Sequence, residues 1–111
     1  MRKFFTITTA CIATMTTAHA EFLTGNDLLA RINGDAYDSI LASGYVAGAY
    51  DTLRTTVHCS PEGVTIGQVK DMVKKHLESN PGVRQLSADM HVRYVLEKAW
   101  PCPKKNNGSG V

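Results

Sequence analysis

Residues 65–82, TIGQVKDMVKKHLESNPG, decide the fold. Thr65 and Gln68 stand three apart in a capping-box pattern, in which the hydroxyl and the amide side chain each satisfy an orphan amide of a helix beginning at Ile66. Ile66, Val69, Met72, Val73 and Leu77 then recur at helical spacing, while Lys70, Asp71, Lys74, Lys75 and Glu78 fill the outer face. Asn80-Pro81-Gly82 stops the run. An amphipathic helix with so clear a start and end needs apolar partners, and the flanking sequence supplies them.

Towards the C-terminus, Ser87 caps a further helix that runs to about Ala99, with Asp89 in its first turn and Val92, Val95, Leu96 and Ala99 facing inward. Pro101 and Pro103 close it. Towards the N-terminus, Pro61 and Gly63 mark a loop over residues 58–63, and before it Asp35 caps the longest helix, Ala36 to about Thr56. Tyr37, Ile40, Leu41, Tyr45, Ala49, Leu53 and Val57 lie at helical spacing along it. Gly44 and Gly48 fall on one face, and since an interior glycine costs about 1 kcal/mol relative to alanine, close approach of another helix is the expected compensation. A first short helix opens at Thr24 with Asp27 in its first turn, carries Leu28, Leu29 and Ile32 on one stripe, and ends at Asn33-Gly34. Strand signals are almost absent. The expected fold class is all-α, a small bundle of about four helices.

The chain has 111 residues, 43% hydrophobic and 7% aromatic, which suits one small domain. The first twenty residues read as a secretory signal: Arg2 and Lys3 begin it, an uncharged stretch rich in Phe, Ile, Ala and Thr follows, and Ala18-His19-Ala20 is a small-x-small cleavage pattern. Thr8-Thr9-Ala10 before Cys11 is a poor lipid-attachment site. The expected organisation is a signal peptide over 1–20, a helical domain over 21–103 and a disordered tail over 104–111, whose Lys, Asn and Gly-Ser-Gly content offsets little ordering entropy. No apolar run reaches the roughly 18 residues of a membrane helix, so no membrane insertion is expected once the signal is removed.

Processing changes the charge and the cysteine count. The formal charge of +2 includes Arg2 and Lys3, so the processed chain is neutral and loses any overall footprint for nucleic acid. Of three cysteines two remain, Cys59 and Cys102, in a compartment that permits oxidation. A bridge between them closes a loop of about 44 residues and contributes roughly 4 kcal/mol in the chain-entropy model, large for a chain of this size. The alternative is two independent thiols.

Candidate chemistry is thin. His58-Cys59 invites a nucleophile reading, but neighbouring side chains seldom face each other and a bridged sulfur has no thiolate. His58, His76 and His91 lack the spacing that sets two metal ligands on one helical turn, and are expected at the surface or rim. Asp27, Asp35, Asp38 and Asp51 are explained by capping and solvation. No catalytic residue, metal or cofactor is expected, and the residues point to a domain that works by binding.

Four segments in order, Phe22–Leu29 (FLTGNDLL), Gly44–Asp51 (GYVAGAYD), Cys59–Gln68 (CSPEGVTIGQ) and Trp100–Pro103 (WPCP), resemble the Rap/Tai family of type VI secretion immunity proteins over nearly the whole processed chain. The resemblance implies a small helical periplasmic protein that protects its producer from a peptidoglycan-cleaving amidase, the cognate effector, delivered by neighbouring or sister cells. It further implies paired cysteines, a possible homodimer, and inhibition by a helix face and protruding loop that occlude the amidase cleft.

A plugging loop should be short, polar or small at its tip and held at both ends, because preorganisation lowers the cost of binding. Two loops qualify: Ser60 to Gly63, with Ser60 and Glu62, and Ser79 to Gln85, with Asn80, Gly82, Val83, Arg84 and Gln85. The second is favoured, because arginine anchors interfaces and the strip Lys70, Lys74 and Lys75 just precedes it. The plainer reading is a polar connection between helices. Two other functions stay open: a small acid-activated periplasmic chaperone with a single disulfide, and a secreted enzyme.

Overall fold

A computed structural model describes residues 22–104. The signal peptide expected over 1–20, and the tail beyond Lys104, lie outside the described residues. Four helices follow in order: α1 (Gly25–Ile32), α2 (Ala36–Leu53), α3 (Ile66–Ser79) and α4 (Ala88–Ala99), with a single 3-10 turn at Pro81–Val83. Each helix touches the other three. Among the described residues no strand forms, only isolated bridges such as Thr24 with Ser87 and His58 with Pro101.

The start of α1 carries the complete capping box. Thr24 Oγ1 accepts from the Asp27 amide at 3.2 Å, and the Asp27 carboxylate accepts from the Thr24 amide at 2.9 Å. The Thr24 hydroxyl also donates to the Asp27 carboxylate at 2.7 Å, and this bond first, then the one from the Thr24 amide, holds the Asp27 carboxyl below its usual range. At α3 only half of the expected box forms: Thr65 Oγ1 accepts from the Gln68 amide at 3.1 Å. Asp35 caps α2 through the Asp38 amide, whereas Ser87 precedes α4 without a side-chain cap.

The core gathers Leu28 and Leu29 of α1, Ala42 and Val46 of α2, Val69, Val73 and Leu77 of α3, and Ala88, Val92, Val95 and Leu96 of α4. Full burial of each Leu or Val contributes about 1.5–3 kcal/mol. Three expectations are corrected here. The face of α2 that packs inward is Ala42 and Val46, flanked by Ala49, Tyr50 and Leu53, while Tyr37 and Ile40 are 70% and 69% exposed and Leu41 is also exposed. Apolar residues surround α2, so its periodicity does not single out one face, and contact with the other three helices chooses. Correspondingly, among the described residues nothing lies within 4 Å of a Cβ position at Gly44 or Gly48, so the expected close approach of another helix is not found there. Ala99 is exposed as well, because α4 ends there and Trp100 covers that end of the core instead.

Helix α2 ends three residues short of Thr56. Arg54 turns extended, Thr55 adopts a left-handed conformation with φ 69°, and its amide donates to the His58 carbonyl at 2.8 Å. This tight turn delivers Cys59 to Cys102, and the two form a disulfide with their Cα atoms 4.8 Å apart. The Cys59 amide also donates to the Trp100 carbonyl at 2.8 Å, so the bridge and a backbone bond together tie the α2–α3 loop to the end of α4.

Candidate functional site

The favoured loop is the connection from α3 to α4, and its shape follows from how three helix ends meet. At the end of α3 the Asn80 side chain donates to the His76 carbonyl at 2.8 Å, satisfying a terminal acceptor. Pro81 then starts the 3-10 turn, and the Val83 amide closes it on the Asn80 carbonyl at 3.3 Å. From there the chain runs across the start of α1. The first two amides of α1 have no partner of their own, and the loop supplies both: Gly25 donates to the Leu86 carbonyl and Asn26 to the Arg84 carbonyl, each at 2.9 Å. The Ala88 amide returns a bond to the Leu23 carbonyl at 2.7 Å. Only glycine fits at position 25, where a Cβ would stand 2.8 Å from the Arg84 carbonyl oxygen and 2.8 Å from the His91 ring.

Two histidines brace the loop from beneath. His91 is 4% exposed, and its Nε2 lies 2.9 Å from the Val83 carbonyl; its Nδ1 lies 3.0 Å from His76 Nε2. His76 Nδ1 in turn lies 3.3 Å from Asn80 Nδ2. Burial first, and then the nearby His91 and Lys98, push the His76 pKa below its ordinary value. His58 is also fully buried, with Nε2 2.9 Å from the Tyr50 carbonyl, its ring against the Tyr50 ring, and Nδ1 without a partner. Two of the three histidines expected at the surface are thus inside. Spacing in the sequence cannot show a pair that forms across two helices. Among the described residues no three His, Cys, Asp or Glu side chains come together as metal ligands.

What the loop offers to a partner is an apolar rim with a cation beside it. Val83, Leu86, Met90 and Tyr94 are exposed and, with His76 and His91, line a shallow groove of about 270 Å³. Leu86, Met90 and Tyr94 are not among the residues expected from sequence, though their spacing of four, from just before α4 into its first two turns, is the signal that can find them. Arg84 is half-buried, and its Nε is buried with no hydrogen-bond acceptor among the described residues. Asn80, Gly82 and Gln85 are exposed around it. The lysine strip does not hold together: Lys70 turns inward to donate to Ser39 and Ser43 of α2 at 3.2 Å each, and Lys74 pairs with Glu78 at 3.9 Å, leaving Lys75 outward.

The second loop sits elsewhere. Ser60 is buried and its hydroxyl is hydrogen-bonded to that of Tyr50, while Glu62 is exposed and borders a cleft of about 360 Å³ with Tyr50, Asp51, Arg54 and Val64. This loop precedes α3 and the other follows it. The 14 residues of α3 at a rise of about 1.5 Å place the two loops roughly 20 Å apart. The structure therefore does not bring them into one surface.

A family model described as Rap1a immunity proteins matches residues 24–102, which span all four helices and both bridged cysteines. No curated protein matches the chain.

Proposed function

The chain belongs to the family of Rap1a immunity proteins, and from that premise we propose that it is a periplasmic inhibitor of a type VI secretion effector that cleaves peptidoglycan as an amidase. In this reading the protein is exported by the segment 1–20, oxidised on export, and retained where the effector arrives. The disulfide supports it, since such bridges persist in the periplasm and are rare in the cytosol.

The observation that carries the choice of surface is the exposed apolar cluster of Val83, Leu86, Met90 and Tyr94, with the half-buried Arg84 next to it in the chain. An arginine adjoining exposed aromatic and aliphatic side chains is the composition of an interface centre. The 3-10 turn is held at both ends, so little ordering cost opposes its entry into a cleft. The proposed contact is thus Asn80, Gly82, Val83, Arg84 and Gln85, extended along α4 by Leu86, Met90 and Tyr94. Glu62 and Ser60, at the far end of α3, are assigned no primary contact. The exposed strip Tyr37, Ile40 and Leu41, continued by Gly44 and Gly48, is where a second copy of the chain packs if the protein is a homodimer, because glycines with open space above them admit a close helix.

The test is co-purification of the processed, oxidised protein from lysate expressing the proteins encoded beside it, followed by a peptidoglycan hydrolysis assay on whatever is retained. The reading requires a stoichiometric complex in which hydrolysis stops. Capture of many unfolded proteins at low pH instead would identify a chaperone.

A further inference from the structure

We propose that His76 and His91 form a proton-operated latch on the loop from Asn80 to Leu86, closed when both imidazoles are neutral and opened when the pair takes up one proton. The hydrogen bonds fix the state of each ring in turn. The Val83 carbonyl can only accept, so His91 carries its hydrogen on Nε2. His91 Nδ1 is then bare and accepts, so His76 carries its hydrogen on Nε2. His76 Nδ1 is bare in turn and faces the Asn80 amide nitrogen, a donor. The chain runs one way, from Asn80 through both rings to Val83, and every ring nitrogen is used.

No added proton fits this arrangement. On His91 Nδ1 it meets the N–H of His76. If His76 responds by moving its own hydrogen to Nδ1, that hydrogen meets the Asn80 NH₂ group. A proton placed directly on His76 Nδ1 meets the same group. Rotating Asn80 to offer its oxygen breaks its 2.8 Å bond to the His76 carbonyl. Each singly protonated form therefore loses the contact between the rings or the Asn80 cap, and both are anchors of the loop.

The surroundings supply no anion to hold the proton. From α4, the Tyr94 ring stands 5.1 Å from His76, with the Lys98 ammonium 5.6 Å from that ring. Asp89, also on α4, borders the same groove as Tyr45, whose phenol is pushed up by burial and then by that carboxylate. On α3, Lys74 and Glu78 are paired to each other and Lys75 points outward. From the loop comes Arg84, and α1 presents Gly25, its Asp27 carboxylate being engaged by Thr24. No group of α2 bonds to or stacks on either ring. Among the described residues no carboxylate comes within 4 Å of either imidazole as an ion pair.

The sign follows from linkage. The folded His76 has a lowered pKa, so the unfolded or released form binds more protons, and the latch is complete above about pH 6.5 and weakens as the pH falls below it. Because the loop is the proposed partner surface, acidification is expected to loosen the complex. That last step rests on the functional reading above, whereas the latch itself belongs to the free protein.

The experiment therefore starts without a partner. In the processed, oxidised protein, imidazole ¹⁵N shifts and amide exchange of Gly82 to Leu86 are followed from pH 7.5 to 5, with rates corrected for intrinsic chemistry. Both rings are expected as Nε2–H tautomers at pH 7.5, and exchange in the loop is expected to rise about tenfold per pH unit once proton uptake begins, one proton's worth, while amides in α2 hold steady. In His76→Gln, a neutral side chain with a donor for His91, the acid response is expected to vanish. An Nδ1–H tautomer on His91, loop exchange that ignores pH, or an unchanged acid response in His76→Gln overturns the latch. The first two readings need no variant. Effector affinity is then compared at the two pH values: a loss in the wild type that His76→Gln suppresses supports the regulatory step, and equal affinity while the loop opens overturns that step. Failure to bind at pH 7.5 overturns the functional reading and leaves the latch to its own measurements.

Discussion

Single residues hold the loop in place, and their substitution separates folding from binding. Gly25→Ala is expected to cost about 1–3 kcal/mol, since the new methyl meets a backbone oxygen and the buried His91 ring and neither can recede cheaply; a lowered urea midpoint with unchanged m-value checks it. Arg84→Ala is expected to do the opposite. Its side chain has no ion-pair partner among the described residues, so thermal stability should change little, while effector affinity falls by about tenfold to a hundredfold, as for a central arginine. Titration calorimetry of Arg84→Ala beside Glu62→Ala tests both loops at once, and the Glu62 variant is expected to bind as the wild type does.

At the scale of the element, α2 is the informative helix. Its buried side is narrow and made of small residues, Ala42 and Val46, and its exposed side carries Tyr37, Ile40 and Leu41. Gly44 and Gly48 sit mid-helix with open space above them. Gly48→Ala is therefore expected to raise the unfolding free energy of the monomer by about 0.5–1 kcal/mol, and to weaken self-association if the strip receives a second copy. Denaturation at low concentration reads the first effect, and sedimentation across a concentration series reads the second. Helix α3 shows a different dependence. Lys70 belongs by pattern to the outer face, yet its four-carbon stem reaches two serines of α2, a partnership between residues about 30 positions apart that no local rule contains.

At the scale of the molecule, one covalent link closes the chain between residues 59 and 102, 43 positions apart. Replacing both cysteines by alanine is expected to remove about 4 kcal/mol in the chain-entropy model, a large share of the roughly 5–15 kcal/mol that a domain possesses. Chemical denaturation of the double variant beside the oxidised wild type measures it. The bridge also fixes the buried His58 next to Tyr50, so reduction should disturb the end of α2 before it reaches the loop after α3, a sequence of events that amide exchange under reducing conditions can follow. Unfolding measured against pH should show stability falling below about pH 6.5, from the depressed His76.

The sequence by itself determined the four helices and most of their ends, the C-terminus of α2 excepted. Thr24, Asp35 and Thr65 cap helices through bonds that span three residues, and Asn33-Gly34 and Asn80-Pro81 end them; all of this is encoded within a few positions, and the expected bridge between Cys59 and Cys102 is present. Four ordered segments were also enough to indicate the family. The tertiary structure decided what depends on residues far apart in the chain. Which side of α2 is buried was settled by the three helices packed on it, because α2 is apolar nearly all round. Ser60 turned inward to Tyr50, the two candidate loops separated to opposite ends of α3, and His76 met His91 across 15 positions to brace the loop between them. Hydrogen bonds along a helix are made between neighbours and so can be read locally, whereas the choice of face and of side-chain partner is made when distant helices compete for the same buried volume.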